Sequence, residues 1–385
     1  MKKIYILLTL LFMLFSNTPA KAIDTPTGVT FIYINGSNNL AYKNRLKFKV
    51  AFIEDVNKLH PQIKKRFEND ETIQRLFLKD GKYVINPEPI AFYWGDRSLD
   101  VVETIDRDLK SASKYSPKIA HQARSIFAHC LHDAVWVQKT HNMTSVLNDL
   151  PKIVNAETEK GNKVVLLGYS AGSFVTYQYY LNKADSINAT KILKDRYDNE
   201  YDEIIANANI QPTCFDALVD ADLIKYNHET GKYDPNKDKK IFAKNFYELD
   251  KYTSSACFKG GTVKGIVGFA SPARLFYSDL LSEKTSINNL SRIMAKSVIE
   301  NDVFYLTVNY SNDPFGFANA NNFTLQNLNS TKLKGNGFIY NKSNNYVPRT
   351  FVTAHLAYWQ TPKRFSKAIV KAYKEGYNNF YNINK

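Results

Sequence analysis

The sequence predicts an α/β fold: a mostly parallel sheet with helices on both faces, carrying large helical insertions. Two observations support this fold class. Short apolar runs that end in turn residues alternate with helical patterns along the chain, which is the order typical of parallel sheets. One of these runs, KVVLLG at 163–168, has no polar side chain after its first residue, Lys163, as expected for a strand that is buried on both faces.

The first predicted strand is GVTFIYINGSNN, at 28–39, and a helical pattern follows it. The apolar face of that helix consists of Phe48, Phe52, Val56 and Leu59. We expect the helix to end near Pro61, because proline lacks the backbone N–H that a helix needs. Further strands are predicted at PIAFYWGD (89–96), KVVLLG (163–168), GIVGFASP (265–272) and VFYLTVNYSND (303–313).

Two segments interrupt this alternation, and we interpret them as insertions in a single domain at 23–385. Residues 97–150 have a long helical pattern, and residues 182–262 are charged and rich in Asn and Tyr. The second insertion is expected over the carboxyl ends of the strands, where open α/β sheets bind ligands. It is therefore predicted to be a cap or lid, with a surface decoration as the alternative.

Residues 1–22 have the pattern of a signal peptide. Two lysines precede an apolar run at 4–15, and Ala-Lys-Ala follows at 20–22, which matches the charged, apolar and small-residue regions of such peptides. The apolar run is shorter than the roughly 20 residues that cross a bilayer. We therefore expect an exported protein, periplasmic or secreted, whose mature chain starts at Ile23; an uncleaved anchor is the alternative.

The chain is basic, with 51 Lys and Arg against 37 Asp and Glu and a formal net charge of +14. A basic surface attracts anions, so peripheral contact with an anionic membrane or envelope polymer is predicted, with a merely solvated surface as the alternative. The lysines are spread along the chain without an arginine-rich block, so no nucleic-acid partner is expected.

Three cysteines are present, and an exported protein can oxidise two of them to a disulfide. Cys214 and Cys257 are the predicted pair, because they bracket the polar part of the second insertion. Cys130 lies in an apolar helical pattern and is interpreted as a buried free thiol.

The strand at 163–168 leads into Gly-Tyr-Ser-Ala-Gly at 168–172, and the helical stretch SFVTYQYYL follows. Gly-x-Ser-x-Gly between a strand and a helix is typical of a nucleophilic serine on a strained turn, whose neighbours must be small. The first N–H groups of the helix would face the reacting oxygen. Ser170 is therefore the predicted nucleophile; a serine retained in an inactive binding protein is the alternative.

A nucleophilic serine needs a base and an acid that orients the base, and we expect both later in the chain at the ends of strands. Asp313 ends the run VFYLTVNYSND, and His355, in TFVTAHLAYW, is the last histidine. If Asp313 is only a turn residue, Asp279 or Asp302 is the alternative acid. His355 could instead be a surface or core histidine.

With these motifs, the sequence resembles the α/β-hydrolase superfamily, and within it the lipase and esterase branch whose chain begins at the strand that carries the oxyanion loop. The resemblance covers 28–39 and 163–174 well and 303–316 and 351–359 moderately. It implies a catalytic triad of Ser170 as nucleophile, His355 as general base and then acid, and Asp313 as the group that fixes the imidazole tautomer.

The resemblance also implies an oxyanion hole made of two backbone N–H groups. One would belong to Ala171, and the other to the loop after the first strand, at Ser37. Many relatives have His-Gly in that loop, where this chain has Asn35-Gly36. The difference leaves the backbone donor in place.

A cluster of histidines is the other group that could carry chemistry. It consists of His121, His129, His132, Asp133 and His141. The spacing of His129 and His132 would suit zinc on a helix, but the cluster lacks the H-E-x-x-H pattern. No metal and no cofactor are therefore expected, and a metal-dependent hydrolase is kept as an alternative.

The sequence thus predicts an exported serine hydrolase that cleaves carboxylic or thio esters, preferably lipid acyl esters, through an acyl-enzyme. An acyltransferase on the same triad and a non-catalytic, hydrolase-like envelope-binding protein are the further alternatives.

Overall fold

The structure is a computed structural model that describes most of the sheet and the helices packed on it. It describes residues 26–37, 45–98, 140–180, 263–272, 298–299, 301–317, 335–345 and 351–383, together with scattered positions between 104 and 137 and between 222 and 238. The predicted signal peptide, all three cysteines, His121, His129, Asp279 and most of both predicted insertions lie outside these residues.

The described part of the chain contains nine strands. They are β1 (Thr27–Ile34), β2 (Tyr83–Ile85), β3 (Ile90–Phe92), β4 (Lys163–Tyr169), β5 (Ile224–Asn227), β6 (Lys232–Pro235), β7 (Val263–Phe269), β8 (Phe304–Tyr310) and β9 (Phe338–Asn344). Seven of them form one sheet in the order β2-β1-β4-β7-β8-β9, with β3 also paired to β1. Every described pairing in this sheet is parallel, whereas β5 and β6 form a separate antiparallel pair within the second predicted insertion.

Six helices have described residues that bear on the site and its surroundings. They are α1 (Arg45–Glu68), α2 (Glu71–Leu76), α3 (Thr140–Glu159), α4 (171–180), α5 (Phe351–Gln360) and α6 (Pro362–Ile383). Helices cover both faces of the sheet, because alternate side chains of β1 enter two separate cores. Phe31 and Tyr33 pack with residues of α1, α5 and α6, whereas Ile32 and Ile34 pack with residues of α3 and α4. No helix in the described ranges is long and apolar enough to cross a membrane.

The order of the strands reverses between β1 and β4. From β1 the chain moves outward to β2 and β3, then returns to pair β4 with the other side of β1, and continues outward through β7, β8 and β9. At such a reversal the loops that leave the carboxyl ends of the two central strands diverge and open a crevice, which is where open α/β sheets bind ligands. The loop after β1 and the turn after β4 meet at this position.

The predicted mostly parallel α/β sheet is confirmed, and each of the five predicted strands overlaps a strand of the structure. The prediction that the first helix ends near Pro61 is wrong, because α1 continues to Glu68 with Pro61 inside it. The apolar face continues beyond the proline through Ile63 and Phe67, both buried. Their burial offsets the hydrogen bond that Pro61 cannot make.

Candidate active site

Ser170 lies on the turn between β4 and α4 with a strained backbone. Its φ is +50°, a left-handed conformation that residues with a side chain seldom adopt. Gly172 allows the turn to pack closely on β1, since a Cβ there would lie 2.4 Å from the carbonyl oxygens of Ile34 and Asn35. The close approach of α4 to the end of β1 thus requires a glycine at position 172.

Ser170, His355 and Asp313 form one continuous hydrogen-bonded chain. Nε2 of His355 lies 3.0 Å from Oγ of Ser170, and Nδ1 lies 3.0 and 3.2 Å from the two carboxylate oxygens of Asp313. Because a carboxylate can only accept, Nδ1 carries the hydrogen, and Nε2 of the neutral ring is left to accept from the Ser170 hydroxyl. This arrangement allows proton transfer from Oγ to the imidazole.

His355 was expected at the end of a strand, and this expectation is wrong. Strand β9 ends at Asn344, and His355 lies inside α5 (Phe351–Gln360). Ala357, Tyr358 and Trp359, which follow Leu356, are buried in the core, and their packing fixes the helix on the sheet. Tyr169, next to the serine, donates from its hydroxyl to the backbone oxygen of His355 at 2.8 Å and holds this helix against β4.

Asp313 is buried in the turn after β8, and three described groups donate to its carboxylate oxygens. Oδ1 accepts from the backbone N–H of Phe315 at 3.0 Å, and Oδ2 accepts from the hydroxyl of Tyr358 at 2.9 Å; His355 is the third donor. Asp313 is therefore both the turn residue that the sequence suggested as an alternative and the carboxylate that contacts the imidazole.

Tyr358 is a member of the site that the sequence analysis did not single out. It is fully buried, and besides donating to Asp313 its hydroxyl accepts from the backbone N–H of Tyr310 at 2.7 Å. Burial and the neighbouring carboxylate raise the pKa of this phenol well above its ordinary value, so the hydroxyl keeps its proton. The available signal was spacing, because residues three apart share a helix face and Tyr358 follows His355 by three.

The loop after β1 lies directly beside Ser170. A Cβ on Gly36 would lie 2.7 Å from Cβ of Ser170 and 2.9 Å from the Tyr169 oxygen. Asn35 anchors this loop to Trp94 through two hydrogen bonds. The side-chain oxygen of Asn35 accepts from the backbone N–H of Trp94 at 2.9 Å, and the backbone oxygen of Asn35 accepts from the Trp94 indole N–H at 2.7 Å. A buried amide thus fixes the loop in which the resemblance would place histidine.

The two predicted oxyanion donors occupy neighbouring positions in the structure. Ala171 is buried at the start of α4, where the backbone N–H groups have no partner within the helix. Ser37 is half-buried and follows Gly36 in the loop beside the serine. Both residues lie beside the crevice at the carboxyl ends of β1 and β4. Their role as oxyanion donors stays a prediction.

A polar network ties together the loops after β4, β7 and β8. The hydroxyl of Ser173 donates to the Ser170 backbone oxygen at 2.6 Å and lies 2.7 Å from the Ser271 hydroxyl. Asn309 accepts from the N–H of Ser271 at 3.1 Å and donates to the oxygen of Phe317 at 2.9 Å. The turns that carry Ser170 and Asp313 are therefore fixed relative to each other.

Of the histidine cluster, the structure describes the side chains of His132 and Asp133 only. Nδ1 of His132 lies 3.5 Å from the buried carboxylate of Asp133. Across the described positions, no group of three or more His, Cys, Asp and Glu side chains is close enough to hold a metal ion.

The parallel sheet with helices is compatible with an α/β-hydrolase-like fold, and the strand–turn–helix around Ser170 has the geometry expected of that class. Comparisons with protein-family models, with curated proteins and with solved structures find no match to this chain.

Proposed function

We propose that the protein is a serine hydrolase that cleaves carboxylic or thio esters through an acyl-enzyme. The observation that carries the proposal is the continuous chain from Ser170 Oγ through the His355 imidazole to the Asp313 carboxylate. Ser170 would attack the carbonyl carbon of the ester while His355 takes its proton, and His355 would then protonate the leaving alcohol or thiol. Water, deprotonated by His355, would release the acid and restore Ser170.

An apolar acyl group is the preferred substrate class, because apolar side chains surround the site. The ring of Phe315 packs edge-on against the His355 ring at 5.0 Å and is 48 % exposed. Phe317 and Leu356 are 38 % and 43 % exposed in the adjoining loop and helix. Exposed apolar side chains beside a nucleophile favour binding of a hydrocarbon chain, since its burial removes apolar surface from water.

A pre-steady-state experiment tests this proposal. Mixing the protein with p-nitrophenyl esters of increasing acyl length is expected to give a burst of nitrophenol equal to the enzyme concentration, followed by slower turnover. The rate constant of the burst should rise with chain length. Absence of both burst and turnover across the series would contradict the proposal.

We further propose that the protein is exported, because of the signal-peptide pattern at 1–22, and that its basic surface contacts an anionic membrane or envelope polymer. Cell fractionation combined with N-terminal sequencing tests the first part. A mature chain beginning at Ile23 outside the cytoplasm is the expected result.

Tyr358→Phe is expected to weaken both stability and catalysis. The variant removes one donor from Asp313 and leaves the buried Tyr310 N–H without its acceptor, so the free energy of unfolding should fall by about 1–3 kcal/mol. A carboxylate with one donor fewer holds the protonated imidazole more strongly, so the acid limb of the pH profile of kcat/KM should move to higher pH. Denaturant titration and the pH profile are the two measurements.

Tyr340→Phe is the matched control for that variant. Its hydroxyl also donates to a carboxylate, that of Glu375, at 2.9 Å, but this pair lies between β9 and α6, away from Ser170. An unchanged pH profile is expected for Tyr340→Phe. A Tyr358→Phe profile that coincides with that of the native chain would show that Tyr358 has only a structural role.

Gly36→Ala is expected to lower kcat/KM by about 100-fold, because the added methyl group would push the loop away from Ser170 and displace the predicted oxyanion donor. Gly268→Ala is the control, since a Cβ there meets its nearest neighbour, Ser173 Cβ, at an ordinary 3.4 Å. Ester hydrolysis by the two variants, with thermal unfolding to establish folding, provides the comparison. Equal activities would contradict a catalytic role for the loop.

A further inference from the structure

A cavity of about 200 Å³ opens at the amino ends of the strands, on the opposite end of the sheet from Ser170. Lys264, the second residue of β7, lines it, and so do Phe304 and Phe338, the first residues of β8 and β9. These strands run parallel to β4, whose carboxyl end carries Ser170. A seven-residue strand is roughly 23 Å long, so the cavity is separate from the proposed active site.

Three cations line this cavity without an acceptor from the described part of the chain. They are Arg75, Lys79 and Lys264, and none of them takes part in a described hydrogen bond or ion pair. The two ammonium groups instead lie over the ring of Tyr83, at 5.9 Å for Lys79 and 5.3 Å for Lys264. Lys264 is half-buried, and a polar group that is removed from water usually has a hydrogen-bond partner. Arg75 and Lys79 are exposed beside it, so their donors are open to an external acceptor.

Lys264 is the most constrained of these cations. Burial lowers its pKa to about 8, and the neighbouring Lys79, Lys163 and Lys82 contribute in the same direction, while Asp302 opposes them. A half-buried ammonium in the field of other cations is unfavourable unless an anion compensates it.

The carboxylate of Asp302 compensates the cluster only in part. One of its oxygens already accepts from the backbone N–H of Asn336 at 2.7 Å. Three cations therefore face one carboxylate in the cavity wall. The excess of two positive charges matches a divalent anion.

We propose that this cavity binds a phosphate group, held by Lys264, Lys79 and Arg75. Arginine suits phosphate because its planar guanidinium can donate two parallel hydrogen bonds, and lysine adds a mobile point charge. Inorganic phosphate and the phosphate of a small phosphomonoester share this chemistry. The phosphate site does not depend on the proposed hydrolase activity, because it lies at the amino ends of the strands and Ser170 lies at the carboxyl end of β4.

The test is calorimetric titration of the full chain with inorganic phosphate and, separately, with glycerol 3-phosphate, at constant ionic strength in sodium chloride. Saturable binding with a stoichiometry of one is expected for at least one of them. Tighter binding of inorganic phosphate identifies the free ion as the ligand, and tighter binding of the ester identifies a phosphorylated small molecule. Either order supports the proposal.

Lys264→Met should weaken this binding by at least about tenfold, and Arg75→Gln should do the same. Lys58→Met removes the same charge from an exposed position on α1, where the side chain is 63 % exposed, and should bind as the native chain does. Ser170→Ala should also bind normally, which separates this site from the hydrolase proposal. Thermal unfolding establishes that each variant is folded, and phosphate should raise the Tm of the native chain more than that of Lys264→Met.

Two results would overturn the proposal. One is the absence of saturable binding beyond that of chloride for both phosphate compounds. The other is an equal loss of affinity in Lys264→Met and Lys58→Met, which would indicate attraction to the net charge of the protein and no defined site.

Discussion

Ser170→Ala is expected to lower kcat/KM for ester hydrolysis by at least about 10⁴-fold. The variant loses the only atom that could form the acyl-enzyme in the proposed reaction. Its fold should be unaffected, because the side chain makes a single described hydrogen bond, to Nε2 of His355, and the strained backbone is held by its neighbours: the N–H of Ser170 donates to the oxygen of Phe269 at 2.9 Å.

Ser343→Ala is the matched control, because this serine is exposed on β9. Initial rates with one activated ester, measured at equal protein concentration, provide the comparison. The Ser343 variant should match the native rate. Turnover by Ser170→Ala above about 1 % of that rate would remove Ser170 from the proposed mechanism.

Asp313→Asn should have the second-largest effect, a loss of about 10³- to 10⁴-fold in kcat. Asparagine is nearly the same size, but one of its two carboxamide positions is a donor. If the oxygen stays with Phe315 N–H and His355, the amide nitrogen faces the Tyr358 hydroxyl, which already accepts from Tyr310. If the amide flips, the nitrogen faces the donor Nδ1–H of His355 and drives the ring toward the other tautomer. The first arrangement leaves Nε2 free to accept from Ser170 but removes the negative charge that stabilises the protonated imidazole, and the second places a proton on Nε2, which then cannot accept from Ser170.

Asp302→Asn is the informative control, since Asp302 is also the alternative acid that the sequence allowed. It lies just before β8 and lines the cavity at the amino ends of the strands, on the opposite end of the sheet from Ser170. Its φ is +55°, a conformation that asparagine tolerates well. We expect kcat of Asp302→Asn to stay within about twofold of the native value. A large loss there, with an active Asp313→Asn, would reverse the assignment of the acid.

The sequence predicts the sheet well, because its central strands are long apolar runs. Strands β4, β7 and β8 are almost entirely buried, so their composition differs from that of any exposed segment. The edge strands β2 and β9 were not predicted. β2 has three residues, and β9 is mostly half-buried with several polar side chains, so neither carries a distinct apolar pattern.

The three residues of the hydrogen-bonded chain could also be singled out from the sequence, because local rules constrain them; their catalytic role stays a prediction. The turn around Ser170 needs small neighbours, and the other two residues must follow it in a fixed order. Local rules predict neither that His355 lies on a helix nor that the Tyr358 hydroxyl bonds to Asp313 and Tyr310. Both features depend on how α5 packs on β8, a contact between segments that are distant in the chain, and a single sequence does not specify such contacts.

The proline inside α1 illustrates the same limit. A local rule predicts that the helix ends near Pro61, and tertiary packing overrides the rule. Phe67, a full turn and more beyond the proline, packs edge-on against Phe31 of β1 at 6.1 Å and against Phe77 at 5.4 Å. The burial of such rings outweighs one missing backbone hydrogen bond.

The most direct test of the account is labelling of the purified protein with a fluorophosphonate probe, followed by mass mapping of the adduct. The probe reacts only with a serine whose hydroxyl is activated by a neighbouring base. The account predicts one adduct per chain, on Ser170, that is absent from Ser170→Ala and strongly reduced in Asp313→Asn. A folded native chain that stays unlabelled, or an adduct on another serine, would contradict it.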